Sequence, residues 1–130
     1  MNNFEFTTNW FELNGKKVWD LLLPQLNPSK VLEIGSYEGE STCYLINELS
    51  KKNNCELYCI DTWEGAVEQQ NRGVNMSEVE RRFDNNVKLA LSIGTNKIKF
   101  YKFKGKSDYY LSKLITENKF SYFDFIYVDG

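Results

Sequence analysis

The sequence contains no histidine, the residue type that most often serves as a general base or as a metal ligand. Its three cysteines, Cys43, Cys55 and Cys59, have a spacing that matches no zinc motif. We expect Cys43, in a predicted helix, and Cys59, in a predicted strand, to be small buried residues. Histidine-dependent catalysis and a cysteine-ligated zinc site are therefore both disfavoured for this chain.

Long apolar runs and blocks of basic residues are also missing. The formal net charge is −2, so the sequence does not favour a large nucleic-acid interface. No apolar run approaches the length of about 20 residues that a membrane-spanning helix needs, and the polar N-terminus lacks a signal-peptide pattern. The length of 130 residues fits one soluble globular domain, for which the cytosol is the expected location.

One stretch, residues 31–42, is typical of a buried strand, a turn and the start of a helix. A short apolar run ends at Gly35, which frees the backbone to turn. From Thr42 onward the apolar residues recur at helical spacing. Such a unit directs free backbone N–H groups at whatever lies above the carboxyl end of the strand, and it is typical of sites for nucleotide-like ligands.

The residue spacing in this stretch excludes two common nucleotide motifs. A dinucleotide fingerprint needs glycines where Tyr37 and Glu40 stand, and a phosphate-binding loop needs a lysine in place of Glu40. On this motif alone, a plain strand-to-helix turn in another α/β domain stays an open alternative. What remains is the pattern E-x-G-x-x-x-G-x-S-T, formed by Glu33, Gly35, Gly39, Ser41 and Thr42.

Three more strands are predicted, and two of them end in an acidic residue. The second strand, residues 56–61, ends at Asp61, whose carboxylate can accept two hydroxyl donors of a ribose or can cap a helix. The nearby Trp63 can cover an adenine or a sulfonium group, or it can pack in the core. The third strand, residues 98–103, carries lysines that suit an edge strand. The fourth, residues 123–130, has the continuously apolar middle of an interior parallel strand.

The remaining segments are predicted to be helices and loops. Residues 1–30 form a helical cap, in which a short helix breaks before Pro24. A polar loop spans residues 64–76. The next helix starts with a capping box over residues 77–80, in which the serine is the cap, and Ser107 is expected to cap the helix after the third strand.

Together these four strand-end segments resemble the class I S-adenosylmethionine-dependent methyltransferases, most closely the branch of small-molecule O-methyltransferases. The common first motif of that family has a further glycine where this chain has Tyr37. The resemblance implies an α/β fold: a Rossmann-like three-layer sandwich with a parallel sheet of four strands in the order 3-2-1-4 and helices on both faces. It also implies a cap over residues 1–30 and a cofactor-binding domain over residues 31–130. We expect this domain to be truncated relative to the seven-stranded fold, as the N-terminal part of a longer enzyme.

S-adenosylmethionine is the cofactor that the resemblance implies, with Asp61 at its ribose and the bend after the first strand around its methionine portion. Asp129 is the candidate catalytic residue, since the equivalent acid of the family faces cofactor and substrate. In some members that acid binds a divalent metal, but one carboxylate cannot hold such an ion alone, so we predict no metal site. The candidate cofactor-binding residues are Glu33, Gly35, Ser36, Tyr37, Gly39, Ser41, Thr42, Asp61, Thr62, Trp63, Gly105, Ser107 and Asp129.

The activity implied is methyl transfer from the sulfonium to a nucleophile, which we expect to be an oxygen of a small molecule or sugar; this chain alone need not be active. Two alternatives stay open. One is a NAD-dependent oxidoreductase, which the failed fingerprint disfavours. The other is a non-catalytic nucleotide-binding or assembly module, in which side chains such as Tyr37 fill the pocket. The fourth strand would present an apolar edge, which we expect to be covered by the N-terminal segment or to pair with another chain in a homo-oligomer.

Overall fold

Four parallel strands form one sheet in the order β3-β2-β1-β4 in the computed structural model, which describes residues 3–129 apart from the side chain of Glu68. This is the strand order that the resemblance implied. Gly130, the last residue of the predicted fourth-strand motif, lies outside the described residues. The strands are β1, Lys30–Ile34; β2, Glu56–Asp61; β3, Lys99–Lys104; and β4, Phe125–Val128.

Helices flank the sheet on both faces, as predicted. A π-helical turn, Phe11–Gly15, runs directly into α1. Helices α1, α2 and α4 pack on one face of the sheet, and α5 packs on the other. Within residues 3–129, no helix has the length and apolar character needed to cross a membrane. The helices are α1, Lys16–Leu26; α2, Glu40–Leu49; α3, Val67–Asn71; α4, Met76–Ile93; and α5, Ser107–Thr116.

The larger part of the core lies between the sheet and helices α2 and α4. Side chains alternate along β1, so that Val31 packs in this part of the core while Leu32 packs in the part near α5. Phe83 of α4 has no exposed surface. Cys43 and Cys59 are buried, as predicted, and so is Cys55. Burial raises the pKa of Cys43 to about 12, which makes its thiol a poor nucleophile.

The two edges of the sheet differ in character. Strand β3 forms one edge, as its lysines predicted, and Lys102 and Lys104 both donate to Glu80 of α4 at 2.6 Å. Strand β4 forms the other edge, and no strand among residues 3–129 pairs with its free side. The Trp19 ring of α1 packs against Tyr127 of β4 at a centroid distance of 4.6 Å. The N-terminal helix therefore covers one face of β4 and leaves its edge unpaired within the described chain.

Three helix ends differ from the sequence prediction. Helix α1 continues past Pro24 to Leu26, although the proline has no N–H to donate to the carbonyl four residues earlier, that of Asp20. Helix α4 is capped by Asn75, whose side chain accepts from the backbone N–H groups of Ser77 at 3.1 Å and Glu78 at 3.3 Å. The predicted cap at Ser77 is thus wrong by two positions. Ser107 is the first residue of α5 rather than its cap, and no side chain caps that helix.

Candidate functional site

The carboxyl ends of three strands border one cavity of about 470 Å³. Gly35 follows β1, Asp61 closes β2 and Asp129 follows β4, and all three residues line this cavity. Helix α3 and its flanking residues form another part of the wall, where the sequence predicted only a polar loop. The volume falls within the range of about 300–1,000 Å³ that is usual for small-molecule sites. The other lining residues are Trp10, Tyr37, Gly65, Ala66, Gln69, Arg72 and Met76.

The Asp61 carboxylate faces the segment between β1 and α2, residues 35–39, here called the bend. Its Oδ2 atom accepts a hydrogen bond from the backbone N–H of Tyr37 at 3.0 Å, and its Oδ1 atom accepts one from the backbone N–H of Trp63 at 2.9 Å. A carboxylate offers about four lone-pair positions, so two such bonds leave capacity for hydroxyl donors from a ligand. The acid at the end of β2 and the bend are therefore joined directly at the cavity wall.

Tyr37 occupies a backbone conformation that is usual for glycine. Its φ angle is 52°, close to the αL region, and the Gly39 φ angle is 86°. The Trp63 indole Nε1–H donates to the Tyr37 carbonyl at 2.9 Å, so both polar backbone groups of Tyr37 are hydrogen-bonded. The Tyr37 ring lies in the cavity wall beside the Trp10 ring, at a centroid distance of 5.4 Å. Tyr37 thus adopts the backbone conformation that a glycine would adopt here, and its ring borders the cavity without filling it.

The backbone amides of the bend are less available than the sequence predicted. Gly35 N–H donates to the Ile60 carbonyl at 2.8 Å, and Gly39 N–H donates to the Ser36 carbonyl at 2.8 Å. Together with the Tyr37 amide, three donors that were expected to face a ligand are engaged within the protein. Burial of a turn against β2 requires such pairing, because an unpaired buried amide costs free energy. A ligand in the cavity would have to use the other polar groups of its wall.

Three residues of the first motif form an internal network beneath the bend. Glu33 has no exposed surface, and its carboxylate accepts hydrogen bonds from the Ser41 hydroxyl at 2.5 Å and from the Thr42 hydroxyl. Burial raises the pKa of Glu33, and these two hydrogen bonds oppose the shift. The network fastens the first turn of α2 to β1. Glu33, Ser41 and Thr42 therefore position the bend, and none of them lines the larger cavity.

A smaller cavity of about 40 Å³ lies next to the bend and extends to Asp129. Ser36 lines it and is 3% exposed; its hydroxyl lies near Glu33 but makes no hydrogen bond with good geometry. Asp129 lines both cavities, and its backbone N–H donates to the Ile34 carbonyl at 2.7 Å. Although much of its surface is accessible, the partial burial of its carboxylate raises the pKa of Asp129. An acid of this kind can hold or accept a proton at the end of β4.

Four other predicted contact residues are not among the lining residues of the cavity. The Trp63 ring is only 4% exposed, packs on Phe83 at 4.8 Å, and lies under the Lys102 ammonium at 4.7 Å. The structure therefore places this ring in the core, which was one of its two predicted roles. The other three residues of this group are partly exposed; they are Thr62, Gly105 and Ser107.

Two acidic residues, one in the bend and one at the start of α2, hold the N-terminal residues 3–15, here called the N-terminal strap. Glu38 is 2% exposed and accepts from the Thr7 backbone N–H at 2.8 Å, from the Thr7 hydroxyl at 2.6 Å, and from Arg82 at 3.3 Å. Glu40 accepts from the backbone N–H groups of Phe11 at 2.9 Å and Glu12 at 3.3 Å. The carboxylates on either side of Gly39 thus bind the strap rather than a ligand.

Sequence reasoning missed several residues of the cavity wall. Trp10 comes from the strap and Arg72 from the turn after α3, at separations of 25 and 37 residues from Gly35 that no local pattern reveals. Its residue type was the one available signal for Trp10, since large aromatic side chains often mark binding surfaces. Arg72 carried no comparable signal.

Two other features of the described residues bear on the choice of site. A second cavity of about 360 Å³ lies beside α2 and the strap, but no strand-end carboxylate lines it. Within residues 3–129, no group of three or more histidine, cysteine, aspartate or glutamate side chains is arranged to hold a metal ion. The 470 Å³ cavity at the strand ends is therefore the candidate functional site, and its chemistry rests on carboxylates and aromatic rings.

Comparison with protein families gives one clear match. Residues 32–130 match the family model described as a methyltransferase domain. A search of curated proteins found no match.

Solved structures resemble the chain over nearly its whole length. An O-methyltransferase from Bacillus cereus in complex with SAH is 18% identical, with a TM-score of 0.58; the match covers 99% of this chain and 47% of that one. The O-methyltransferase TomG from Streptomyces achromogenes, involved in tomaymycin synthesis and in complex with SAM, is 17% identical, with a TM-score of 0.56 and coverage of 100% and 47%. At this identity the likeness shows the fold, and this chain spans about half the length of these two structures.

Proposed function

The chain belongs to the methyltransferase domain family, and from this premise we propose that it binds S-adenosylmethionine in the 470 Å³ cavity and contributes to methyl transfer. The observation that carries the proposal is the hydrogen bond between the Asp61 carboxylate and the Tyr37 amide. It holds an acid suited to a ribose diol against a bend suited to the rest of the cofactor, at one wall of one cavity. The SAH and SAM in the two similar structures support this choice of ligand.

The cavity suits the chemical groups of this cofactor. Asp61 would accept the ribose hydroxyls, and the main chain between Gly35 and Gly39 would border the methionine portion. The buried network of Glu33, Ser41 and Thr42 would support the bend from below. Trp63 would act through its hydrogen bond to the Tyr37 carbonyl, and Thr62, Gly105, Ser107 and Ser36 would complete the surroundings of the adenosine and methionine.

The bound cofactor supplies a methyl group on a positively charged sulfur, which an electron-rich atom of the acceptor attacks. The chain's own part is to align the two partners and to exclude water, since this reaction depends on approach geometry more than on an acid–base pair. Asp129 lines the same cavity. In this proposal it would orient an acceptor hydroxyl and take up its proton as an oxygen–carbon bond replaces the sulfur–carbon bond. We propose an oxygen acceptor on a small molecule, with no metal needed from this chain.

Two proposals concern the organisation of the chain. Residues 1–30 would act as a cap on a cofactor-binding domain of residues 31–130, since Glu38 and Glu40 of the domain bind the strap. The free edge of β4 would pair with a second chain, because Ile126 and Val128 beside it are 55% and 65% exposed. Sedimentation of the wild type and of Ile126→Lys would test the second proposal, which predicts that only the wild type self-associates.

Calorimetric titration with S-adenosylhomocysteine, S-adenosylmethionine and NADH tests the proposed function. We expect both adenosyl sulfur ligands to bind and NADH not to bind. A ligand at a hundredfold its dissociation constant should raise the free energy of unfolding by about 2.7 kcal/mol, which a thermal melt can verify. Binding of NADH alone, or of none of the three ligands, would overturn the proposal.

A further inference from the structure

Trp10 is the one tryptophan of the described chain that combines a cavity position with a large free surface. Its ring borders the 470 Å³ cavity, lies 5.4 Å from the Tyr37 ring, and is 48% exposed. Trp19 and Trp63 are each 4% exposed and belong to the core. A half-exposed aromatic ring at a cavity wall can still lose surface to a ligand, and that loss favours binding.

The order of the strands indicates which part of the ligand Trp10 would meet. In the sheet, β2 neighbours β1 and β1 neighbours β4, so Asp61, Gly35 and Asp129 follow one another across the strand ends. Trp10 lines the larger cavity and also the smaller one, which Gly35 and Asp129 share but Asp61 does not. The tryptophan therefore lies toward the β1–β4 side. A nucleoside held at Asp61 would extend its sulfur toward that side.

The surroundings of Trp10 favour a positively charged group. Two carboxylates, Asp61 and Asp129, and the rings of Trp10 and Tyr37 share the cavity wall, with Arg72 as the opposing charge. The face of a tryptophan ring attracts cations, and the attraction grows when water is excluded. A sulfonium is a cation, whereas the thioether that remains after methyl transfer is neutral. The same ring would therefore hold the two forms with different strength.

The strap gives Trp10 a defined position. Thr7, three residues before it, is held by Glu38, and Phe11, directly after it, is held by Glu40. Both carboxylates flank Gly39 in the bend that would border the methionine portion. The chain on both sides of Trp10 is thus anchored to the bend that would border the ligand.

We propose that Trp10 is a cofactor-positioning residue that covers the sulfonium of S-adenosylmethionine and distinguishes this charged ligand from neutral S-adenosylhomocysteine. This inference rests on the proposed function and adds a residue and a selectivity to it. Methyl transfer removes the charge that Trp10 attracts, so the contribution of this ring to binding is smaller for the product than for the cofactor.

The test is calorimetric titration of the 130-residue chain and its variants with both ligands. Trp10→Ala should weaken binding of S-adenosylmethionine by about 2- to 30-fold and change binding of S-adenosylhomocysteine by a smaller factor. Trp10→Phe should retain more of the preference than Trp10→Ala. The matched control is Leu13→Ala, since Leu13 lies on the same strap, is 63% exposed and does not line the cavity.

The possible outcomes distinguish a failure of this inference from a failure of the proposed function on which it rests. If the wild type binds both ligands and Trp10→Ala weakens both equally, or weakens neither, the role of Trp10 is overturned and the proposed function stands. If the wild type binds neither ligand, both the proposed function and the role of Trp10 are overturned. Circular dichroism and a thermal melt of each variant without ligand show whether a loss of binding reflects a loss of fold.

Discussion

The Asp61 carboxylate accepts a hydrogen bond from the backbone N–H of Tyr37, 24 residues earlier in the chain, at 3.0 Å. Two residues after Asp61, the Trp63 indole donates to the carbonyl of the same tyrosine at 2.9 Å. The segment after β2 thus holds both polar backbone groups of Tyr37. These two bonds explain how a tyrosine keeps the positive φ angle of a position where related motifs have glycine.

The first prediction concerns the backbone strain at Tyr37. Both Tyr37→Gly and Tyr37→Ala lose the ring, but only glycine adopts a φ angle of 52° without strain. We expect the glycine variant to be more stable than the alanine variant by about 0.5–1 kcal/mol in chemical denaturation. The same pair at Tyr44, inside α2, should show the opposite order, because glycine weakens an ordinary helix. An alanine variant as stable as the glycine variant at position 37 would argue against the strained backbone.

The second prediction concerns the ribose role of Asp61. The Asp61→Asn substitution keeps the size of the side chain and one acceptor oxygen, but it removes the charge and replaces the other oxygen with an NH2 group, which donates. Hydrogen bonds to a charged group contribute about 1.5–3 kcal/mol, so S-adenosylhomocysteine should bind about 10- to 100-fold more weakly. Calorimetric titration measures this. Glu64→Gln is the control, since Glu64 is exposed and lies outside the cavity wall; equal affinities of the two variants would refute the role of Asp61.

The sheet could be predicted from the sequence because its information is local. Each strand is a short apolar run followed by a turn or an acid, and parallel pairing places those ends together. Asp61 and Gly35 were therefore expected to meet, and their segments do meet at one cavity. The family motif added the strand order, which composition and periodicity do not contain.

The rest depended on tertiary contacts that no short pattern encodes. In the sequence, Glu38 and Glu40 are polar residues at a predicted turn. In the structure their carboxylates accept hydrogen bonds from the strap, about thirty residues away in sequence. The sequence predicted that the backbone N–H groups of Gly35 and Gly39 would be free to bind a ligand. In the structure they donate to the carbonyls of Ile60 and Ser36. The capping box predicted Ser77 as the cap of α4, yet Asn75 forms it; asparagine and serine are about equally good caps, so residue type alone does not choose between them.

The third prediction concerns the pH dependence of stability that arises from Glu33. Burial raises the pKa of this carboxyl above its ordinary value of 4.5. Above pH 4.5 the folded chain therefore keeps a proton that the unfolded chain has lost, so rising pH favours unfolding until the folded-state pKa is passed. The variant Glu33→Gln does not titrate at this position. The free energy of unfolding of the wild type, minus that of the variant, should fall as the pH rises above 4.5, by at most about 1.4 kcal/mol per pH unit.

Urea denaturation of both proteins across a pH series measures this difference, and the other titrating groups largely cancel in it. A difference that rises with pH, or stays constant, would contradict the predicted effect of burial. Asp84→Asn offers a comparison at an exposed carboxylate, which accepts a hydrogen bond from the Lys102 ammonium.

The last prediction concerns the attachment of the strap through Glu40. Its Oε1 atom accepts from the backbone N–H groups of Phe11 and Glu12, which begin the π-helical turn and have no partner in the preceding turn. Glu40→Gln keeps an acceptor oxygen but removes the charge, and a neutral acceptor is weaker by about 1 kcal/mol. We expect the Phe11 and Glu12 amides to exchange with solvent about fivefold faster in hydrogen-exchange experiments.

A matched substitution separates the hydrogen bonds of Glu40 from its charge. Glu12→Gln removes a negative charge from the first turn of the same helical segment, but the Glu12 side chain does not accept from the Phe11 amide. If the exchange of Phe11 accelerates only in Glu40→Gln, the hydrogen bond holds the strap. If both variants accelerate it equally, the helix end responds to charge alone, and the bend does not anchor the strap through Glu40. Because Trp10 precedes Phe11 directly, the first outcome also predicts that Glu40→Gln weakens the fixation of the Trp10 ring at the cavity wall.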